Sequence, residues 1–217
     1  MVKKIIIIGD HHGKDDAYNA LVNKIREENK DIEVLTVCLG DSGIGFVHQW
    51  KHRVFAPPTK QDFMLMGNHD NRQFAMVNNL SFCITKPTIS REGNTSIFFV
   101  PGASSPHFDA KQRTELVDWF PWEELSFTES ETAYQMYKDY RPEIVISHDA
   151  PYDFLKINVR KDLTHPSFTQ DLLQAMFQQH RPKLWIFGHW HKNTDQQFGG
   201  TRFICLPELE TFEINLD

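Results

Sequence analysis

Asp10 and His12, Asp41, Asn68 and His69, His148, and His189 and His191 each sit just past an apolar run. Strands aligned in one sheet bring their C-terminal ends to a common edge, where ligands bind in open α/β sheets. Imidazoles, carboxylates and one amide at such an edge suit a transition metal such as manganese, iron or zinc, which accepts nitrogen and oxygen donors together. Calcium, which takes oxygen alone, fits poorly. In Asp10-x-His12 and His189-x-His191 the spacing predicts that, on an extended backbone, both members of a pair face one way while His11 and Trp190 face another. Each stretch alone, Gly67-Asn68-His69-Asp70 included, is also what an ordinary turn carries. It is their recurrence at five strand ends that points to a site.

The elements that must position these residues are legible in the patterning. Ile5 to Ile8 is an unbroken β-branched run ending in Gly9-Asp10, which predicts a strand buried on both faces. Tyr18, Leu21, Val22 and Ile25 fall at helical spacing behind Asp15 and Asp16, and Val34 to Leu39 then closes on Gly40-Asp41. Phe63 to Met66 delivers Asn68 and His69. A short helix is expected near Arg72 to Asn79, and Cys83–Ile89 and Ser96–Val100 read as a hairpin around Arg91-Glu92-Gly93-Asn94. Residues 101–125 are irregular and aromatic, as a long surface excursion or lid is; Trp119, Phe120 and Trp122 read as packing beneath it. Thr128 with Glu131 reads as a capping box opening a helix that ends before Pro142. Ile144 to Ile146 leads to His148, and a helix from Ser167 stops at Arg181-Pro182. Leu184 to Phe187 leads to His189 and His191, and Phe203–Leu206 and Phe212–Leu216 are the last strands. The alternation predicts an α/β sandwich in one domain over 1–217, with helices outside.

Composition narrows the class. Of 217 residues 40% are hydrophobic, with 17 Phe and 5 Trp, enough for a sizeable core. A net charge of -6 argues against a general nucleic-acid or membrane-surface binder, whose footprint is basic. Cys38, Cys83 and Cys205 are far apart and read as buried, unpaired core residues, which suits a reducing compartment. The four-residue apolar run after Lys3-Lys4 is too short for a signal peptide, and no segment has the length of a membrane span, so a cytoplasmic, soluble protein is expected. His48, His52, His107 and His180 read as surface or satisfied core groups.

Taken in order, Gly9-Asp10-His11-His12-Gly13, Gly40-Asp41, Gly67-Asn68-His69-Asp70, Ser147-His148-Asp149 and Gly188-His189-Trp190-His191 resemble the motif set of the calcineurin-like metallophosphoesterase superfamily. Gly102-Ala103-Ser104-Ser105, Arg113 and the Trp-rich segment resemble its small bacterial and phage members. The resemblance implies two packed mixed β-sheets flanked by helices. It implies two divalent transition metal ions, manganese favoured over iron or zinc: one held by Asp10, His12 and His191, the other by Asn68, His148 and His189, with Asp41 bridging. His69 is implied as the catalytic proton donor beside them. Asp70 and Asp149 are the nearest candidates to fix the imidazole tautomers.

One departure matters. Protein phosphatases of this superfamily continue Gly-Asp with an orienting Asp and a phosphate-gripping Arg, whereas this chain reads Gly40-Asp41-Ser42-Gly43-Ile44-Gly45. That favours a phosphodiester or nucleotide substrate over a phosphomonoester or phosphoprotein, and leaves Arg72, Arg113, Arg160 and Lys192 as the basic residues to examine for substrate binding. A non-catalytic scaffold of the same fold is the reading from another class; such members typically lack the catalytic His that this chain has in His69.

Overall fold

The computed structural model describes residues 2–106 and 111–216. In chain order the elements are β1 (Lys4–Ile8), α1 (Asp15–Glu28), β2 (Val34–Cys38), a small hairpin of β3 (Val47–His48) and β4 (Lys51–His52), β5 (Asp62–Leu65), α2 (Arg72–Val77), β6 (Cys83–Ile84), β7 (Thr88–Glu92) and β8 (Thr95–Val100). There follow α3 (Phe127–Tyr140), β9 (Ile144–Ser147), α4 (Tyr152–Asn158), α5 (Phe168–Gln179), β10 (Leu184–Phe187), β11 (Thr194–Phe198), β12 (Thr201–Cys205) and β13 (Thr211–Asn215).

All four isoleucines of the β1 run are buried, Ile5 and Ile7 in one apolar cluster and Ile6 and Ile8 in another. This is the alternation a strand imposes when both faces are covered. One sheet has the order β13-β1-β2-β5-β6 and the other β11-β12-β10-β9-β8-β7. Both are mixed: β1, β2, β5 and β6 are parallel with β13 antiparallel at the edge, and β12, β10, β9 and β8 are parallel between antiparallel β11 and β7. The sheets meet through Ile5, Ile7 and Val37 on one side and Ile97, Ile146 and Ile186 on the other. Tyr18, Val22 and Ile25 of α1 and Ala75 of α2 close the outer face of the first sheet, and α3, α4 and α5 close the second. The architecture is therefore helix, sheet, sheet, helix, the metallophosphoesterase sandwich that the sequence implies.

Several local expectations are corrected. The run from Cys83 to Ile89 is split between the sheets: β6 pairs with β5, the chain passes Pro87, and only from Thr88 does β7 pair with β8. Proline has no N–H for a ladder and breaks the run there. The capping box of α3 is Ser126 with Glu129, two residues earlier than Thr128 with Glu131, and Glu129 is also gripped by Arg72. Helix α4 and strand β11 go beyond the sequence reading. α4 is too short for a clear period, and β11 is an exposed edge held by pairing with β12. All three cysteines are free, but Cys83 is only half-buried. No helix among the described residues is long and apolar enough to cross a membrane.

Candidate metal centre

Five parallel strands end at the same place: β1, β2 and β5 from one sheet, β9 and β10 from the other. Asp10 reaches from the first sheet to the second, with Oδ2 3.0 Å from His191 Nε2 and accepting the His189 amide at 2.7 Å. Asp41 Oδ1 lies 3.2 Å from His148 Nε2 and accepts the His69 amide at 2.9 Å, while its Oδ2 is 3.7 Å from His12 Nε2. His12 and His191 face each other, Nε2 to Nε2, at 2.8 Å. Asn68 Oδ1 lies 3.1 Å from His148 Nε2. The donors thus form two groups, Asp10, His12, Asp41 and His191, and Asp41, His148 and His189, each with its donor atoms within 4.8 Å of one another, and Asp41 is common to both.

The convergence has a different local cause from the extended alternation expected. His12, Asp41, His189 and His191 all have positive φ (47°, 55°, 62° and 50°), so the loops turn sharply and aim the donors inward. Asp and His are among the residues that enter this region most readily. His11 faces away as expected, buried against Tyr18 and Phe55. The glycines have a steric reason. A Cβ on Gly67 would stand 2.2 Å from Asp41 Oδ1, and one on Gly188 would stand 2.1 Å from Asp10 Oδ1.

The residues fit a pair of metal ions. Asp10 Oδ1 is buried with no hydrogen-bond partner, a costly state that a cation relieves. His148 Nδ1 bonds the Leu39 carbonyl at 2.7 Å, which leaves Nε2 for the centre. Burial opposes charge on Asp41, but His148, His69 and His12 outweigh it and hold the carboxyl well below the usual range. Burial also opposes charge on His148, yet Asp41 and Asp10 lift it to about 10. Burial and the neighbouring His148 lower His189 to about 3, so it stands neutral with a lone pair to offer. The hydrogen bond that its ring donates to the Asp10 carboxylate raises His191.

His69 is half-buried beside the cluster, its ring edge-on to His12 with centroids 5.4 Å apart. Both Asp70 oxygens accept amides, from Ile44 at 3.0 Å and Gly67 at 2.9 Å, so this carboxylate ties the β2 loop to the β5 loop. Asp149 likewise serves the scaffold, accepting from Trp190 Nε1, the Ala150 amide and Gln170. Arg72 is buried and committed to Glu129 and to the Thr85 and Glu124 carbonyls, which removes it as a phosphate grip. Arg113 bonds the Asn68 and Asp118 carbonyls and Ser105 Oγ. Arg160 stacks over Trp190 and, with Ser104, His165 and His189, lines a cleft of about 460 Å³. Lys192 is exposed beside His191. Within 101–125, Ala103, Phe120, Glu123 and Leu125 are buried while Thr114 to Val117 and Pro121 are exposed; His107 and the rest of 107–110 lie outside the described residues. His52 donates to the Gly45 carbonyl and His180 to the Pro142 carbonyl, and His48 is exposed.

Two groups escaped the sequence reading. Glu208 Oε1 lies 3.8 Å from His191 Nδ1, and Glu208 pairs with Lys14. It follows β12, so the strand-end rule that found the other donors could have found it. Glu123, which reaches Asn68 through Ser105 of the Gly102-Ala103-Ser104-Ser105 stretch in a buried chain, had no spacing signal in the sequence.

The model of the family described as calcineurin-like phosphoesterase matches residues 3–193. No curated protein matches the sequence. Among solved structures, a dimetal phosphatase from Danio rerio is 12% identical, with 96% of this chain and 88% of that one covered and a TM-score of 0.57. GAP50, the anchor in the inner membrane complex of Plasmodium, is 11% identical over 94% of this chain and 71% of that one, with a TM-score of 0.57. A candidate 5′-nucleotidase from Staphylococcus aureus is 11% identical with a TM-score of 0.52; 99% of this chain is covered, and the chain spans 51% of that protein's length. At these identities the likeness is one of fold.

Proposed function

The chain belongs to the calcineurin-like phosphoesterase family and is a phosphoester hydrolase, and from that premise we propose that it hydrolyses a phosphodiester or nucleotide at a dinuclear metal centre. The observation that carries this reading is Asp41, shared by two donor groups that draw on both sheets, with the His69 amide hydrogen-bonded to the same carboxylate. Asp10, His12 and His191 would hold one cation and Asn68, His148 and His189 the other, with Asp41 between. Bound there, two cations lower the pKa of a shared water and clamp the phosphoryl oxygens for in-line attack.

The chain's own groups supply the rest. His69 stands at the edge of the donor cluster and donates a proton to the leaving oxygen, a contribution of roughly 10²–10⁴-fold. The hydrogen bond that His148 Nδ1 donates to the Leu39 carbonyl holds that ring in place. The cleft beside His189, with Arg160 at its wall, receives the second ester arm. The preference for a diester rests on Ile44-Gly45, which stand where phosphatases carry the Asp that orients the catalytic histidine and the Arg that grips phosphate.

Elemental analysis and paired assays with bis(p-nitrophenyl) phosphate and p-nitrophenyl phosphate test the reading. Wild type is expected to take up manganese and to favour the diester. Asp41→Asn is expected to lose metal at both positions, whereas His69→Ala keeps the metals and loses turnover. A His69→Ala protein as active as wild type on every ester tried removes His69 from the mechanism, and a wild type that takes up no transition metal removes the centre.

A further inference from the structure

Behind Asn68, on the side away from His148, lies a chain of hydrogen bonds whose direction is fixed at its far end. Glu123 is buried, and its carboxylate accepts the Ser105 amide at 2.6 Å through Oε1 and the Ser105 hydroxyl at 2.6 Å through Oε2. Ser105 Oγ in turn accepts from Asn68 Nδ2 at 3.0 Å and from Arg113 Nη2. Arg113 balances the Glu123 charge at 3.8 Å and also bonds the Asn68 carbonyl.

A hydroxyl has one hydrogen and two lone pairs. Ser105 uses all three: the hydrogen goes to Glu123, and the lone pairs go to Arg113 and Asn68. Asn68 can therefore only donate to Ser105, which turns its NH₂ away from the centre and its Oδ1 toward it. An amide nitrogen carries no lone pair for a metal, so this orientation decides whether Asn68 can be a ligand.

We propose that Glu123 is a positioning residue: acting through Ser105, it sets the polarity of this chain and so presents the Asn68 oxygen, not its nitrogen, to the metal centre. The proposal rests on the metal-centre reading above. It predicts an unusual outcome for an isosteric change. In Glu123→Gln the backbone N–H of Ser105 still needs an acceptor, so the new carboxamide keeps its oxygen there and turns its NH₂ on Ser105 Oγ. Ser105 must then send its hydrogen to Asn68, and the Asn68 amide reverses.

The test is a double-mutant cycle read by Co²⁺ titration, through stoichiometry by elemental analysis and the visible absorption of bound cobalt, with thermal melts to show that each variant folds. Glu123→Gln is expected to bind the weaker cobalt equivalent roughly 10–100-fold less tightly, the range typical when an outer partner of a ligand is lost. Asn68→Asp presents an oxygen to both sides whichever way the chain runs. It is therefore expected to restore cobalt binding in the Glu123→Gln background and to give a smaller gain in the wild-type background. Equal gains in both backgrounds, as a simple charge effect produces, or wild-type affinity in Glu123→Gln, overturn the proposal while leaving the metal centre standing. Absence of cobalt uptake by wild type overturns both.

Discussion

Gly67 shows how little room the centre leaves at single positions. Asp41 packs against the backbone where a side chain would begin, so Gly67→Ala must push away the shared carboxylate. We expect that variant to fold and to bind Mn²⁺ about 10–100-fold more weakly, measured by isothermal titration; unchanged affinity contradicts the close approach. Asp70 is the complementary case. Its two oxygens take two amides, and a carboxamide can accept only one of them, so Asp70→Asn leaves one buried N–H facing another. A loss of roughly 1–3 kcal/mol is expected, read from urea unfolding. The strained backbones of His12, Asp41, His189 and His191 belong to the same picture, since sparsely populated conformations persist where the surroundings over-determine them.

At the scale of elements, α3 shows how one residue joins a helix end to the sheet on the other side. Glu129 closes the capping box with Ser126 and receives both Arg72 nitrogens from the start of α2. Burial raises Glu129, but the hydrogen bonds from Arg72 and Ser126 outweigh it and bring it from 4.5 to about 2. A carboxyl depressed on folding stabilises the native state above its unfolded value and loses that contribution as pH falls through its folded value. The stability gap between wild type and Glu129→Gln, taken from denaturant midpoints, is thus expected at full size above about pH 4.5 and to close towards about pH 2. Glutamine still completes a capping box, so the variant isolates the charge. A gap that does not change with pH assigns the effect to packing instead.

Across the whole molecule, the two sheets are joined by the Ile5, Ile7, Ile146 and Ile186 interface and, at one edge, by the donor cluster. Ile186→Ala removes packing from that interface and is expected to cost about 2–5 kcal/mol. Metal binding at a site built from both sheets must stabilise the fold by mass action, about 2.7 kcal/mol at a hundredfold excess over Kd. Thermal melts are therefore expected to rise with Mn²⁺ and to fall back with chelator, and Asp41→Asn to abolish the response; a metal-insensitive melt for wild type places the cation elsewhere. By itself the sequence determined the donor-bearing strands, the order of their loops and the donor types, because apolar runs and residue chemistry are local properties. Only the tertiary structure decided that the loops turn through positive φ instead of running extended, that Arg72 and Asp70 serve the scaffold, and that Ser105 and Glu123 stand behind Asn68. Those outcomes depend on which group wins each buried hydrogen bond, and that competition is settled between segments far apart in the chain.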